Sequence, residues 1–419
     1  MMSDRIQNKT SLSFRNISFF TGFTVLFFLT VILFFIGLLT DPLKIQQNLF
    51  FHNFNDLFAD FFNHIIYVAD RSPYLTDTLT ARDRILPPLH YVLAYGIRQL
   101  LDCPMELNAM WRDRKAMSCA IAFLVISEVW LLFMLSKLTE TKKRLPILMM
   151  ILFSGVNMFA IERGTMVLFT TGCIAGFLHY YDSHDRKKQL LALVLLSLAA
   201  ALKIYPALFG LLLLKKRDWK GILFCIILTS ALGFLPLLTF VGRFENIETL
   251  FGNLKKYREY YAISSQHQVL RGFPIHIFHI SSYAEIIKFI VTLTDVIAVG
   301  TLCTAFLNNN QERLALAIAA VITLCPVGAA PYTQCYLFMP FLLFLNRVNE
   351  NSGKLDLFMA AGYILLLTPY QFAGRTNEIF ILFVLPAMLI CQCLSDLCKL
   401  KKSRKNIREI ITDCFNIKC

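Results

Sequence analysis

Two aspartates four residues apart, Asp56 and Asp60, are the residues of this chain best suited to proton chemistry. On a helix that spacing puts both carboxylates on one face, where like charges repel unless something uses them. They lie in a stretch, 48–68, whose apolar residues alternate with Asn55, Asp56, Asp60, Asn63 and His64. An interfacial helix with a wet acidic face fits this pattern. So does a general base beside a membrane-bound substrate, with the second acid binding or orienting the acceptor. Phe58, Phe61 and Phe62 favour Asp60 as the base, because apolar neighbours desolvate a carboxylate and raise its basicity. Asp56 would then orient the acceptor.

The matching cations are Arg163 and Lys203. Arg163 sits in Ile161-Glu162-Arg163-Gly164, a charged turn between two apolar spans. Lys203 interrupts the 25-residue apolar stretch 190–214, three residues before Pro206. Ionisable groups at membrane depth usually line a substrate path, and Pro206 would break the helix there. An ammonium and a guanidinium on one face suit a phosphate, the first by charge and the second by bidentate hydrogen bonding. The plainer readings are an ordinary turn and a lysine snorkelling to the interface. Glu128 and Asp295 also interrupt spans, and either pair with other helices or line a cavity. Lys255-Lys-Tyr-Arg-Glu-Tyr-Tyr261 and Ser264-Ser-Gln-His-Gln268 bring Tyr260, Gln266 and His267 together as candidates for sugar hydroxyls, although a solvated loop has the same make-up.

Membrane helices must position these groups. Of the 419 residues, 56% are hydrophobic and 16% charged, and 38 are Phe. Soluble domains are about 45–50% apolar and about 25% charged. The chain is therefore expected to be an all-α polytopic membrane protein. Arg15 and Asp41 enclose 25 uncharged residues, enough for a first helix that is retained, since no small-residue cleavage site follows. Further spans read as about 116–136, 145–161, 164–181, 221–241, 287–307, 313–330, 332–346, 356–373 and 378–395.

Charge arbitrates the topology. Lys137, Lys142, Lys143 and Arg144, then Lys215, Lys216, Arg217 and Lys220, then 347–354 and the basic tail should all face the cytosol. With the N-terminus inside, they agree only if Leu86–Leu101 does not cross and 190–214 is two short helices broken near Lys203. The result is about 12 membrane helices, with interfacial helices in the first outer loop. A cytoplasmic N-terminus (1–15), a transmembrane domain (16–395) with outer loops 41–115 and 242–285, and a basic cytoplasmic tail (396–419) follow. Asp56, Asp60, Arg163, Lys203, the 242–285 loop and Arg375 then share the outer face, which adds Arg375 to the phosphate-binding candidates.

The net charge of +13 tracks this topology, so no nucleic-acid partner is expected. The 12 Cys show no C-x-x-C pair, and neither a structural zinc site nor a disulfide framework is supported. The P-loop, H-E-x-x-H, G-x-S-x-G and kinase motifs are missing, which argues against ATP-driven transport and zinc proteolysis. No cofactor and no metal site are expected.

Leu152-Phe-Ser-Gly through Ile161-Glu-Arg-Gly-Thr165, followed by Ala199-Ala-Ala-Leu-Lys-Ile-Tyr-Pro-Ala-Leu-Phe-Gly and Leu211 to Lys220, resembles glycosyltransferase family 87. The likeness extends to Asp56–Asp60, to Leu86-Pro-Pro-Leu-His-Tyr91 and to Tyr332-Thr-Gln-Cys-Tyr-Leu-Phe-Met-Pro340, covering about residues 15 to 395. Lys203-Ile-Tyr-Pro206 is its most specific part. Thr165 stands where the family often has Asn, and Leu86 where it often has Tyr, which points to a different sugar or acceptor, or to weakened activity.

The resemblance implies a GT-C-like helical bundle that moves one hexose, often mannose, with inversion. The donor would be a polyprenyl monophosphate carrier, and the acceptor an envelope glycolipid or polysaccharide at the outer face of the plasma membrane. It implies a catalytic acid in the first outer loop, matching Asp60 or Asp56, with Arg163, Lys203 and Arg375 at the donor phosphate. His90 joins Tyr260, Gln266 and His267 as an acceptor or sugar ligand. A lipid-linked sugar flippase, and a non-catalytic partner in envelope assembly, are the competing readings. The large outer segment and the lack of an inverted repeat weigh against transport.

Overall fold

The computed structural model describes residues 57–74, 84–101, 104, 106–139, 144–263, 284–308, 310–326, 330–348, 354–368 and 380–402, together with 29, 32, 36 and 39. Among them all regular structure is helical, with no strand. Three helices are long and apolar enough to cross a membrane: Arg114–Leu138, Trp219–Thr239 and Phe289–Leu307. Each leaves apolar side chains uncovered by protein. Ile121, Val125, Val129 and Phe133 form one stripe, Leu223, Ile226 and Ile227 a second, and Phe289, Leu293 and Val296 a third. Steps of three and four residues line one helix face, and such stripes belong against lipid.

Other expected spans are shorter or broken. The segment expected as one helix over 145–161 is two, Arg144–Leu152 and Gly155–Arg163, bent by 53°. Ser154 cuts the ladder between them: its side chain accepts from the Asn157 amide, while the Gly155 amide donates to the Thr368 carbonyl. Proline opens 3₁₀ turns at Tyr205–Gly210, Leu235–Thr239 and Pro331–Leu337, because it lacks the amide needed to continue an α-helical ladder. Among the described residues there are thus three candidate spans, or four with the bent pair, against the dozen expected.

The break expected near Lys203 is present. Arg186–Leu202 ends there, Lys203 adopts extended backbone, and the 3₁₀ turn leads into Leu211–Lys216. Arg186–Leu202 and Arg114–Leu138 both pack on Val167–Tyr180. The contact is close because Gly172 faces Trp130 and Gly176 faces Leu195 and Met134. A Cβ on Gly172 would lie 2.5 Å from the Trp130 ring and 3.2 Å from the Leu131 backbone.

The bundle has two chemically different ends. At one, Lys215 donates to the Phe306 carbonyl at 3.0 Å and to that of Asn308. Lys216 meets Asp182 at 2.6 Å, and Asn346 donates to the Leu138 carbonyl at 2.8 Å. Arg313 pairs with Asp396, and Arg347 with Glu312 and Asp356. The other end holds Asp60, Arg163, His64, His90 and Lys203. Val167–Tyr180 runs from beside Arg163 to beside Asp182, and Arg186–Leu202 returns from there to Lys203.

Candidate functional site

We label four elements: α1 (Ala59–Tyr67), α2 (Pro88–Leu101), α3 (Leu107–Arg112) and α4 (Gly155–Arg163). Asp60 is the second residue of α1, and the entry to that helix is tightly held. The Leu57 carbonyl accepts from Trp111 of α3 at 2.8 Å, and the Phe58 amide donates to the Glu162 carbonyl at 2.6 Å. Phe58 reaches that carbonyl by taking left-handed backbone, φ 55°. Phe61 and Phe62 are buried beneath the helix, Phe61 against Phe123 with ring centroids 5.1 Å apart.

Arg163 ends α4, and Gly164 follows in left-handed backbone at φ 64°. The Gly164 amide donates to the Ile161 carbonyl and the Thr165 amide to that of Ala160, the pair of bonds that closes a Schellman cap. Glycine is required twice over here. A Cβ at 164 would stand 3.0 Å from the Phe61 Cβ and 3.2 Å from the Phe58 Cα. The cap therefore presses α4 onto the start of α1, which brings the two charged groups together.

They meet as an ion pair. Arg163 donates to Asp60 Oδ1 from Nε at 3.1 Å and from Nη2 at 2.5 Å. Asp60 Oδ2 has no hydrogen bond among the described residues, so one oxygen is held while the other remains for a ligand proton. The sequence places Asp60 and Arg163 on one face, and the fold brings them into contact.

Lys203 is the other cation of the site. It is 8% exposed, its ammonium has no hydrogen bond or ion pair among the described residues, and the Asp60 carboxylate acts on it electrostatically. A desolvated ammonium without a fixed partner is costly unless a ligand supplies the anion.

Beside these lies a histidine pair. His64 of α1 and buried His90 of α2 share a ring-to-ring hydrogen bond of 2.9 Å between His64 Nδ1 and His90 Nε2. Burial pushes both well below the usual imidazole range, with Lys203 and Arg163 adding to the effect on His64. At His90 the neighbouring His64 and Lys203 act in the same direction, opposed by Asp60 and the Leu202 carbonyl. Both rings are therefore neutral at neutral pH.

Tyr205 and Tyr332 lie within electrostatic reach of Asp60, Tyr257 lies within reach of both tyrosines, and Tyr332 stacks on Phe159 with centroids 6.1 Å apart. Sequence reasoning did not single out these tyrosines, nor His64 as a site residue. Tyr205 and Tyr332 do stand inside the two most recognisable motifs, which was the available signal.

Asp56, Gln266, His267 and Arg375 lie outside the described residues, and so does the side chain of Tyr260, whose backbone belongs to the helix Asn246–Ile263. Glu128 accepts from Asn157 at 3.1 Å and Asp295 lies against Cys325, so both face neighbouring helices. No group of three His, Cys, Asp or Glu among the described residues is arranged to hold a metal ion.

Comparison with known proteins adds one positive finding. The family model for glycosyltransferase family 87 matches residues 112–391, two thirds of the chain. No curated protein and no solved structure matches significantly.

Proposed function

We propose that this chain, which belongs to glycosyltransferase family 87 and is a membrane glycosyltransferase, moves a hexose, mannose or one like it, from a polyprenyl monophosphate carrier. The acceptor is an envelope glycolipid or polysaccharide, and the reaction takes place at the outer face of the plasma membrane. The observation that carries this reading is Lys203, a buried ammonium with no anion partner among the described residues, next to an Asp60–Arg163 pair whose second carboxylate oxygen makes no hydrogen bond among them.

The donor is a phosphodiester with one negative charge, and its departing lipid phosphate gains a second as the glycosidic bond breaks. Lys203 and Arg163 stabilise that growing charge, the role of cations in a dry site. Asp60 Oδ2 takes the proton of the acceptor hydroxyl as it attacks the anomeric carbon from the face opposite the phosphate, so configuration inverts. The donor anion competes with Asp60 for the Arg163 guanidinium, and its arrival loosens the carboxylate for proton transfer. Arg375 joins the phosphate cradle and Asp56 orients the acceptor. His90, Tyr260, Gln266 and His267 contact the acceptor or sugar.

Topology supports an outward-facing site. The basic side chains of Lys215, Lys216, Arg313 and Arg347 gather at the end of the bundle opposite Asp60, and basic groups of that kind favour the cytosolic face. The test is incubation of purified protein with a panel of polyprenyl-phosphate hexoses and a lipid acceptor. Release of lipid phosphate with transfer of one hexose is expected, and release from none of the donors rejects the reading.

A further inference from the structure

We propose that His64, held by His90, is the proton carrier that links Asp60 to the departing phosphate. This rests on the reaction proposed above and adds a residue to it. Four observations carry it.

The first is position. His64 is four residues beyond Asp60 on α1, so the two side chains share a face about 5–6 Å apart at their Cβ atoms. The second is orientation. His64 Nδ1 is engaged by His90, and Nε2 makes no hydrogen bond among the described residues. The third is the tautomer. One proton lies between His64 Nδ1 and His90 Nε2, and the buried His90 Nδ1 has no partner among the described residues. In the tautomer with the proton on His90 Nδ1, His90 Nε2 accepts, His64 Nδ1 donates, and His64 Nε2 carries a bare lone pair.

The fourth is charge. His64 is faced by His90 and Tyr91 of α2, by Tyr67 on its own helix, by Arg163 at the end of α4 and by Lys203, and Asp60 lies one turn before it on α1. The two cations oppose protonation of His64. A donor phosphate between them cancels that opposition, so the lone pair gains a proton most readily when the donor is bound.

The step balances without a co-reactant. The acceptor oxygen bonds to the anomeric carbon as the anomeric carbon–phosphate oxygen bond breaks. The hydroxyl proton passes to Asp60 and then to His64 Nε2, and the resulting imidazolium gives it to the lipid phosphate. The acceptor enters neutral, the phosphate leaves as a monoanion, and Asp60 and His64 return to their starting states.

The experiment compares wild type, His64→Gln, His64→Ala and His90→Gln as purified full-length protein. Turnover and donor binding are followed across the pH range in which imidazole titrates, with and without added imidazole. His64→Gln should lose about 10²-fold in turnover, the lower end for proton-transfer catalysis, while still binding donor. His64→Ala should regain turnover with added imidazole, in proportion to its neutral fraction, a response a structural role would not give. His90→Gln, a positioning variant, should show a smaller loss and a displaced acid limb of the pH profile. Wild-type turnover and pH profile in His64→Gln, or no imidazole rescue of a His64→Ala protein that still binds donor, overturns the proposal. Both outcomes presuppose an active wild type, so they are distinct from failure of the reaction itself, in which wild type releases no lipid phosphate.

Discussion

Lys203 is buried and has no hydrogen-bond or ion-pair partner among the described residues, and this makes its charge separable from its packing. Lys203→Met keeps the apolar stem and removes the ammonium. A hydrogen bond to a charged group contributes about 1.5–3 kcal/mol, so donor affinity should fall about 10- to 100-fold while the protein stays folded. Unchanged donor affinity, measured by titration, would remove the lysine from the phosphate site. Asp60→Asn keeps shape but removes the proton sink, and turnover should drop about 10²–10⁴-fold with donor binding retained. Asp56→Asn should do less damage, and an inactive Asp56→Asn beside an active Asp60→Asn would exchange the two roles.

The histidines add a dependence of stability on pH. His64 and His90, on helices outside the candidate spans, titrate below the 6.5 of free imidazole because burial disfavours the imidazolium. Below about pH 6.5 the unfolded chain binds protons that the native site refuses, so stability is full above that pH and falls as acid is added. Thermal unfolding of the wild type should therefore weaken with acidification more steeply than that of the His64→Gln, His90→Gln double variant. Equal slopes would show that the pair is not buried as neutral rings.

At the scale of elements, function depends on how α4 ends and α1 begins. Neither helix is long, and their charged residues meet because a Schellman cap and a left-handed Phe58 fix two backbones against each other. Gly164→Ala attacks that junction alone. Left-handed backbone costs an L-residue about 1–2 kcal/mol, and the added methyl also presses on Phe61 and on the Phe58 backbone. The variant should unfold at lower temperature and lose turnover through displacement of Arg163. Wild-type melting and activity together would show that the junction yields easily. By contrast, the caps supplied by Asp113, Asp185, Asp218 and Asn310 each satisfy an amide at a helix start and touch none of the site residues.

Across the whole molecule, segregation of the charged loops gives a test of sidedness. Asp70 lies exposed a few residues beyond α1, and Asp182 lies exposed beside Lys216 at the opposite end. In a background stripped of native cysteines, Asp70→Cys should react with an impermeant thiol reagent from outside the cell and Asp182→Cys only from the cytosolic side. The reverse pattern would invert the membrane orientation and with it the outer-face assignment.

Much of this architecture is written in local chemistry. Low charge and long apolar runs dictate membrane helices, because an unpaired backbone cannot be left in hydrocarbon. A lysine three residues before proline dictates a broken helix at 203, and the breakdown of helical order there follows the expectation. The basic loops and the family likeness are equally local, and residues 112–391 bear that likeness out. Other features depend on long-range packing. The bend at Ser154 requires the Thr368 carbonyl, more than two hundred residues away, to accept the Gly155 amide. The Asp60–Arg163 pair joins positions 103 apart, and His64–His90 joins positions 26 apart. Sequence patterns of period 3.6 report which face a residue occupies, whereas which faces meet is decided by where glycines such as 164 and 172 let two helices close.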